Sequence, residues 1–269
     1  MSADPLLLTP TFHETVWGVQ DLSPWFDSPG GRIGEVWFES PQLDRLPILV
    51  KFIFTSDRLS VQVHPDDAYA RQIEGAAGGK TEMWYVLRAA PGAKLAAGFV
   101  EPISLERARQ AAQSGEIEQL LQWWPVEAGQ VYLLPAGTVH ALGAGITVCE
   151  IQQNNQITYR LYDYGRPREL HLEKALAVAH LGPHPGPIAP QGDVLAACPH
   201  FITDRLELSG ETHYETRANG FELLIVLEGA GRLAGQDLRP GQVWHLPPGS
   251  GPWPLEPAPR LRMLRTRLP

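Results

Sequence analysis

Between residues 33 and 63 the apolar positions fall in short runs, IGEVWFESP, LPILVKFIF and LSVQVHP, rich in Val, Ile, Phe and Trp and punctuated by Pro, Ser and Asp. Runs of this kind predict strands. EMWYVLRA at 82–89 predicts another, and residues 129–153, GQVYLLPAGTVHALGAGITVCEIQQ, predict more, separated by Gly and Pro turns. Within LSVQVHPDDAYA, alternation puts Leu59, Val61 and Val63 on one face and Ser60, Gln62 and His64 on the other, up to Pro65. The apolar row needs a core, whereas the polar row needs a chemical reason.

Helical spacing replaces strand alternation in two places. SLERARQAAQSGEIEQLLQWW, 104–124, opens with Ser104 as an N-cap and is expected to divide at Gly115 into two helices. RELHLEKALAVAHL, 168–181, is the second helical stretch. The Asp66–Asp67 pair after His64-Pro65 is expected to cap a short helix over 68–73 rather than to act as paired carboxylates. GPHPGPIAPQGD, 182–193, has the composition of a linker, and from about 199 onward the chain reads as strand and turn.

The two halves repeat one another. EMWYVLRAAPGAKL from Glu82 resembles ELLIVLEGAGRL from Glu222, and GQVYLLPAGTVH from Gly129 resembles GQVWHLPPGSGP from Gly241, in the same order. The block Gly129-x5-Pro135-x-Gly137-x2-His140 resembles the second motif of the cupin family of small double-sheet β-barrels. The expectation is a mainly β protein of two cupin, jelly-roll-like barrels. Residues 1–181 would form the first, with a helical insertion at about 101–124. Residues 182–198 would be a linker, and 199–269 a second, degenerate barrel without a metal site, since Pro252 stands where the first copy has His140 and Glu222 alone is no site.

Composition narrows the class. At 269 residues, 43% hydrophobic and 19% charged, the chain can bury a sizeable core. A formal net charge of −8 argues against a nucleic-acid surface but leaves room for a locally cationic pocket. Two cysteines, Cys149 and Cys198, are too few for a disulfide scaffold or a thiolate zinc site. The opening MSADPLLLTPTF lacks a basic n-region, and no window is long enough for a membrane span, so a cytoplasmic protein is expected. With no long apolar exposed face in the pattern, a monomer is expected.

Gln62, His64, Glu82 and His140 are together a set of metal-ligand types. Two imidazoles, one carboxylate and one amide oxygen suit a borderline divalent ion such as zinc, one per chain, with manganese, cobalt or iron also compatible. The neutral Gln62 keeps the site more cationic than a second carboxylate would, which helps a developing oxyanion.

Larger pieces carry a more specific resemblance. LVKFIF…LSVQVHPDD, GKTEMWYVL, LLPAGTVHALGAGITVCEIQ and TYRLYDYGRPRELHLEKAL, with ETVWG and GEVWFES near the start, are similar to the type I mannose-6-phosphate isomerases in their short bacterial and archaeal form. The resemblance implies a zinc-dependent aldose–ketose isomerase that interconverts mannose 6-phosphate and fructose 6-phosphate through an enediolate. It places the zinc ligands on Gln62, His64, Glu82 and His140, and active-site cations on Lys51, Lys80 and Arg160. Trp17 would line the sugar site, and Arg166 is either a phosphate contact or a surface residue. Glu35 is expected at the barrel rim. Two positions depart from the family pattern: Val19 replaces the second Gly of a WGG segment, and Gln156 stands where many relatives have an Asp. An amide cannot take up a proton as a carboxylate does. The alternatives are a non-catalytic, metal-bearing sugar-phosphate-binding cupin, an isomerase of another aldose phosphate and, less compatible with Gln62, an iron oxygenase.

Overall fold

The strand Ile48–Phe54 is buried at every position, as a strand covered on both faces must be. In the computed structural model, which describes residues 4–43, 45–218 and 220–269, it is central to a six-stranded antiparallel sheet. The neighbours on one side are Ile33–Glu39 and Thr9–Val19; on the other they are Ile146–Gln153, Glu82–Ala89 and Val131–Leu134. One face of this sheet packs against a five-stranded sheet of Tyr159–Tyr162, Val61–Val63, His140–Leu142, Lys94–Phe99 and Leu121–Pro125. Ile53, Trp84, Val86 and Tyr132 meet Leu95, Ala97 and Leu142 in the core between them. Helices Leu105–Ser114, Ile117–Leu120 and Leu172–Val178 cover the outer face of the five-stranded sheet through Ala108, Ala111, Ala112, Ile117 and Leu176. The expected mainly β architecture is thus present.

The later part of the chain builds an eight-stranded antiparallel sheet around Glu222–Leu233 and Trp253–Arg267. Its edge includes Leu6–Leu7, from the start of the chain, paired with Val243–Leu246. Phe52, Phe54, Phe38 and Cys149, on the far face of the six-stranded sheet, share one buried cluster with Phe201, Leu223, Ile225 and Leu264. Phe52 is fully buried there. Phe52→Ala is expected to destabilise the protein by about 3–5 kcal/mol in denaturant unfolding, with the whole chain unfolding in one transition.

The repeated blocks occupy equivalent places. Glu82 lies opposite Leu134 and Gln152, and Glu222 opposite Leu246 and Arg267. Two residues along the strand the charges are exchanged: Glu150 faces Lys51 in the first half, Arg265 faces Asp204 in the second.

Several local expectations hold. Ser104 accepts a hydrogen bond from the Arg107 N–H at 3.1 Å, and Gly115 ends that helix at φ 85°. Asp66 caps the helix Asp67–Glu74 by accepting from the Tyr69 N–H at 2.8 Å. Two spans differ. The helix expected to run to Trp124 stops at Leu120, because the aromatic run LQWWP pairs as a strand with Lys94–Phe99. The helix expected from 168 begins at Leu172, because the chain bends at 167–168 and the His171 N–H donates to the Arg160 carbonyl at 2.8 Å rather than into a helix. The 182–198 segment contains a short strand, Val194–Ala197, that pairs with Ile202–Leu208.

Candidate active site

Strand register brings the polar row of LSVQVHP to its partners. Gln62 lies opposite His140 on one neighbouring strand and Arg160 on the other. Glu82 heads the strand Glu82–Ala89 in the facing sheet. One ligating atom each from His64, Glu82 and His140 falls within 4.8 Å of the others, and all three residues are buried. His64 Nε2 lies 3.5 Å from Glu82 Oε2, and His140 Nε2 lies 3.4 Å from Glu82 Oε1.

The outer nitrogens of both imidazoles are committed. His64 Nδ1 is 2.8 Å from the Ile157 carbonyl and His140 Nδ1 is 2.8 Å from the Thr138 carbonyl. A carbonyl only accepts, so each Nδ1 carries a proton and each Nε2 turns a lone pair toward Glu82. Burial holds both imidazoles neutral, with His64 well below its usual pKa and His140 down to about 4. Burial, helped by the nearby Glu150 carboxylate, pushes Glu82 up to about 7. Glu82 Oε1 is buried and accepts no hydrogen bond. The Gln62 amide lies 3.2 Å from His140 Nε2 and can turn to present its oxygen to the same point, with Ser60 Oγ 3.3 Å behind it. Two neutral imidazoles, a carboxylate with an unused oxygen and an amide fit a divalent cation.

A cavity of about 390 Å³ opens beside the cluster. Trp17, Lys51, Gln62, Lys80 and Arg160 all line it. Lys51 Nζ sits 3.4 Å from Glu35 Oε2 and 3.6 Å from Glu150 Oε1, donates to Gln156 Oε1 at 3.1 Å, and lies 4.3 Å from the centre of the Trp37 ring. Lys80 Nζ is 2.8 Å from Glu82 Oε2, 3.2 Å from His64 Nε2 and 3.7 Å from Glu150 Oε1. Burial works against the Lys80 ammonium, but Glu150 and Glu82 outweigh it and its pKa is raised. Arg160 makes no ion pair among the described residues, and its Nε is buried without a hydrogen-bond partner. Asp163 is not its partner, being taken by Arg166 and, through two 2.6 Å hydrogen bonds, by Arg168.

The buried His64, Glu82 and His140 sit behind the cavity wall, and of the residues expected to meet the substrate Arg166 does not line the cavity. Its guanidinium is engaged by Asp57 at 2.6 Å, the Arg58 carbonyl at 2.9 Å and Asp163 at 3.3 Å. The cation from that loop that reaches the cavity is Arg168, with His171 beside it. Glu150 also lines the cavity and was absent from the expected set. Its Oε2 accepts from Trp84 Nε1 at 2.8 Å, whereas its buried Oε1 accepts no hydrogen bond. Burial opposes its ionisation, but Lys80 and Lys51 prevail and hold its pKa below the usual carboxylate value.

No family model matches the chain. The mannose-6-phosphate isomerase of Streptococcus mutans is 35% identical to it, over 86% of this chain and 87% of that protein. The mannose-6-phosphate isomerase ManA of Bacillus subtilis is 32% identical, over 95% of this chain and 97% of its own length. This chain belongs to the mannose-6-phosphate isomerase family. A crystal structure of the family's Bacillus subtilis mannose 6-phosphate isomerase superposes with a TM-score of 0.85 at 27% identity, covering 99% of each chain. The expected cupin-type fold is therefore the fold of the family. Of the two departures from the family pattern, Val19 packs against the large core cluster and does not line the cavity. Gln156 does line it, as the acceptor for Lys51.

Proposed function

We propose that this chain is a metal-dependent aldose–ketose isomerase that interconverts mannose 6-phosphate and fructose 6-phosphate. The observation that carries the reading is the meeting of a buried His64–Glu82–His140 cluster with a cavity holding Lys51, Lys80, Glu150 and Arg160, in a member of this family. His64, Glu82 and His140, with Gln62 as neutral fourth donor, would hold a divalent ion, which would supply Lewis-acid polarisation of the bound sugar. Zinc suits this donor set, and manganese, cobalt and iron(II) are compatible with it.

Isomerisation takes a proton from C2 of the aldose, forms an enediolate and returns a proton to C1. Lys80 is unsuited to be the base, since its raised pKa keeps it an ammonium. Glu150 is the group fitted to that step: an ionised carboxylate on the cavity wall, with one oxygen tied to Trp84 and the other without a hydrogen bond, between the Lys51 and Lys80 ammonium groups at 3.6 and 3.7 Å. Lys80 and Lys51 place positive charge where the enediolate develops negative charge. Arg160, without a carboxylate partner of its own, is assigned to the substrate phosphate. Trp17 closes the apolar side of the cavity. Arg166 is left out, because its donors are already used. All these side chains come from one chain, so the reading requires no partner subunit and is compatible with a cytoplasmic monomer. No helix among the described residues is long and apolar enough to cross a membrane.

A coupled assay for fructose 6-phosphate from mannose 6-phosphate, with metal content read before and after chelation, tests the reading. Turnover that disappears with the metal and returns on adding zinc is the expected result. A metal-loaded sample without turnover would overturn it.

The titration of the cluster gives a second expectation. Burial holds both imidazoles below their usual pKa, His140 down to about 4, whereas Glu82 is pushed up to about 7. Metal binding should therefore displace a single proton below that pH. Affinity is expected to be flat above about 7.5 and to fall as pH drops below 7, at about tenfold per pH unit while Glu82 alone is being protonated, by metal titration at fixed ionic strength. A slope of about two or more would show that imidazole protons are being displaced as well.

A further inference from the structure

Asp67 opens the helix Asp67–Glu74, yet its carboxylate is not spent on the helix N-terminus, which Asp66 already caps. Its Oδ1 accepts two hydrogen bonds from elsewhere, one from the Gly79 N–H at 2.7 Å and one from Gln153 Nε2 at 2.9 Å. Gln153 is the last residue of the strand Ile146–Gln153, and its Oε1 accepts from the Thr81 N–H at 2.8 Å. Its own backbone N–H donates to the Thr81 carbonyl at 3.0 Å. One step along, the Lys80 N–H donates to the Pro65 carbonyl at 3.0 Å.

The segment Gly79–Lys80–Thr81, which runs into Glu82, is therefore fastened at every residue. The fastening points are the corner just after His64 and the end of the strand that carries Glu150. Gly79 is pressed so closely to that corner that a Cβ there would lie 2.4 Å from the Asp66 carbonyl carbon. Neither Asp67 nor Gln153 lines the cavity.

We propose that Asp67, acting through Gln153 and Gly79, is a positioning residue for the metal cluster. Its Oδ1 fixes the strand start that carries Lys80 and Glu82 against the strand end that carries His64. This rests on reading His64, Glu82 and His140 as ligands. The Arg71 ion pair, made through Oδ2 at 2.8 Å on an exposed surface, has no part in it.

The variants Asp67→Ala, Asp67→Asn and Arg71→Ala of the zinc-loaded enzyme test the proposal by zinc release into excess chelator, by kcat at saturating zinc and by KM. Asp67→Ala is expected to release zinc faster by on the order of 10- to 100-fold and to lose kcat, with KM little changed. Asp67→Asn keeps an oxygen able to accept both hydrogen bonds and is expected to restore slow release. Arg71→Ala should match the parent.

A role confined to helix stability would not separate Asn from Ala through metal release. Asp67→Ala releasing zinc at the parental rate, or Asp67→Asn releasing it as fast as Ala, would overturn the clamp. Gln153→Met, which removes both side-chain links while filling similar space, gives the same readout if Asp67→Ala does not fold. Parental protein that holds no zinc would overturn the ligand set itself. Parental protein that holds zinc tightly, with an indifferent Ala variant, overturns only the clamp.

Discussion

Replacing Glu150 with Gln is expected to lower kcat by on the order of 10²- to 10⁴-fold, the usual contribution of a positioned general base. Gln can still accept the Trp84 Nε1 hydrogen bond that Glu150 Oε2 accepts at 2.8 Å, so the side chain keeps its place. What it loses is the ability to take a proton from the sugar. Metal content and KM should therefore stay near those of the parent. Exchange of the substrate C2 hydrogen with solvent should fall in step with kcat. A Glu150→Gln enzyme that retains both turnover and exchange would move the base to another group, and Glu35, hydrogen-bonded to Trp37 Nε1 at 2.6 Å, is the next carboxylate on the cavity wall.

Replacing Glu82 with Gln is expected to act differently, through the metal. Glu82 is the one anion in the His64–Glu82–His140 cluster. Its loss should bring bound metal close to zero and lower kcat/KM by about 10³-fold or more, corresponding to about 4 kcal/mol of transition-state stabilisation. Breaking a buried ion pair commonly costs about 3–5 kcal/mol. Here the folding penalty should fall below that range, because Lys80 keeps Glu150 at 3.7 Å and Glu150 loses a like-charged neighbour. Metal analysis after gel filtration, with urea unfolding of the same sample, separates the two effects. A Glu82→Gln protein that still carries one metal per chain would contradict the ligand assignment.

The cluster was legible in the sequence because alternation is a local rule. In LSVQVHP it puts Gln62 and His64 on one face, and the Pro-Gly turn ahead of His140 is a local signature as well. Lys51 came from the resemblance rather than from alternation, and the structure points it away from the face that buries Val50 and Phe52. Glu150 obeys the rule too: Cys149 and Ile151 enter the large core cluster and Val148 the other, so Glu150 has to point the way Val148 does. An inward carboxylate on a strand this apolar was a usable signal. The choice between Arg166 and Arg168 was not legible. It depends on Asp57, more than a hundred residues away in the chain, drawing Arg166 off, and on the His171 N–H reaching the Arg160 carbonyl to turn the loop. The end of the insertion helix was lost in the same way, since only pairing with Lys94–Phe99 makes LQWWP a strand.

The half without the His64–Glu82–His140 cluster still has work in this molecule. Phe38, Phe52 and Phe54 back the sheet that carries Lys51, Glu82 and Glu150, and Phe201, Leu223, Ile225 and Leu264 join Phe26 in keeping them dry. Leu6–Leu7 reaches across to become an edge strand of that same far sheet. A protease nick between residues 182 and 193 would leave the two pieces clasped. Trimming the gene to its first 181 codons would yield an insoluble product, with an aromatic face bared to water. For an engineer, the smallest catalyst obtainable from this chain is the whole of it, and a tag fused at the N-terminus is a load hung on the sheet farthest from the chemistry.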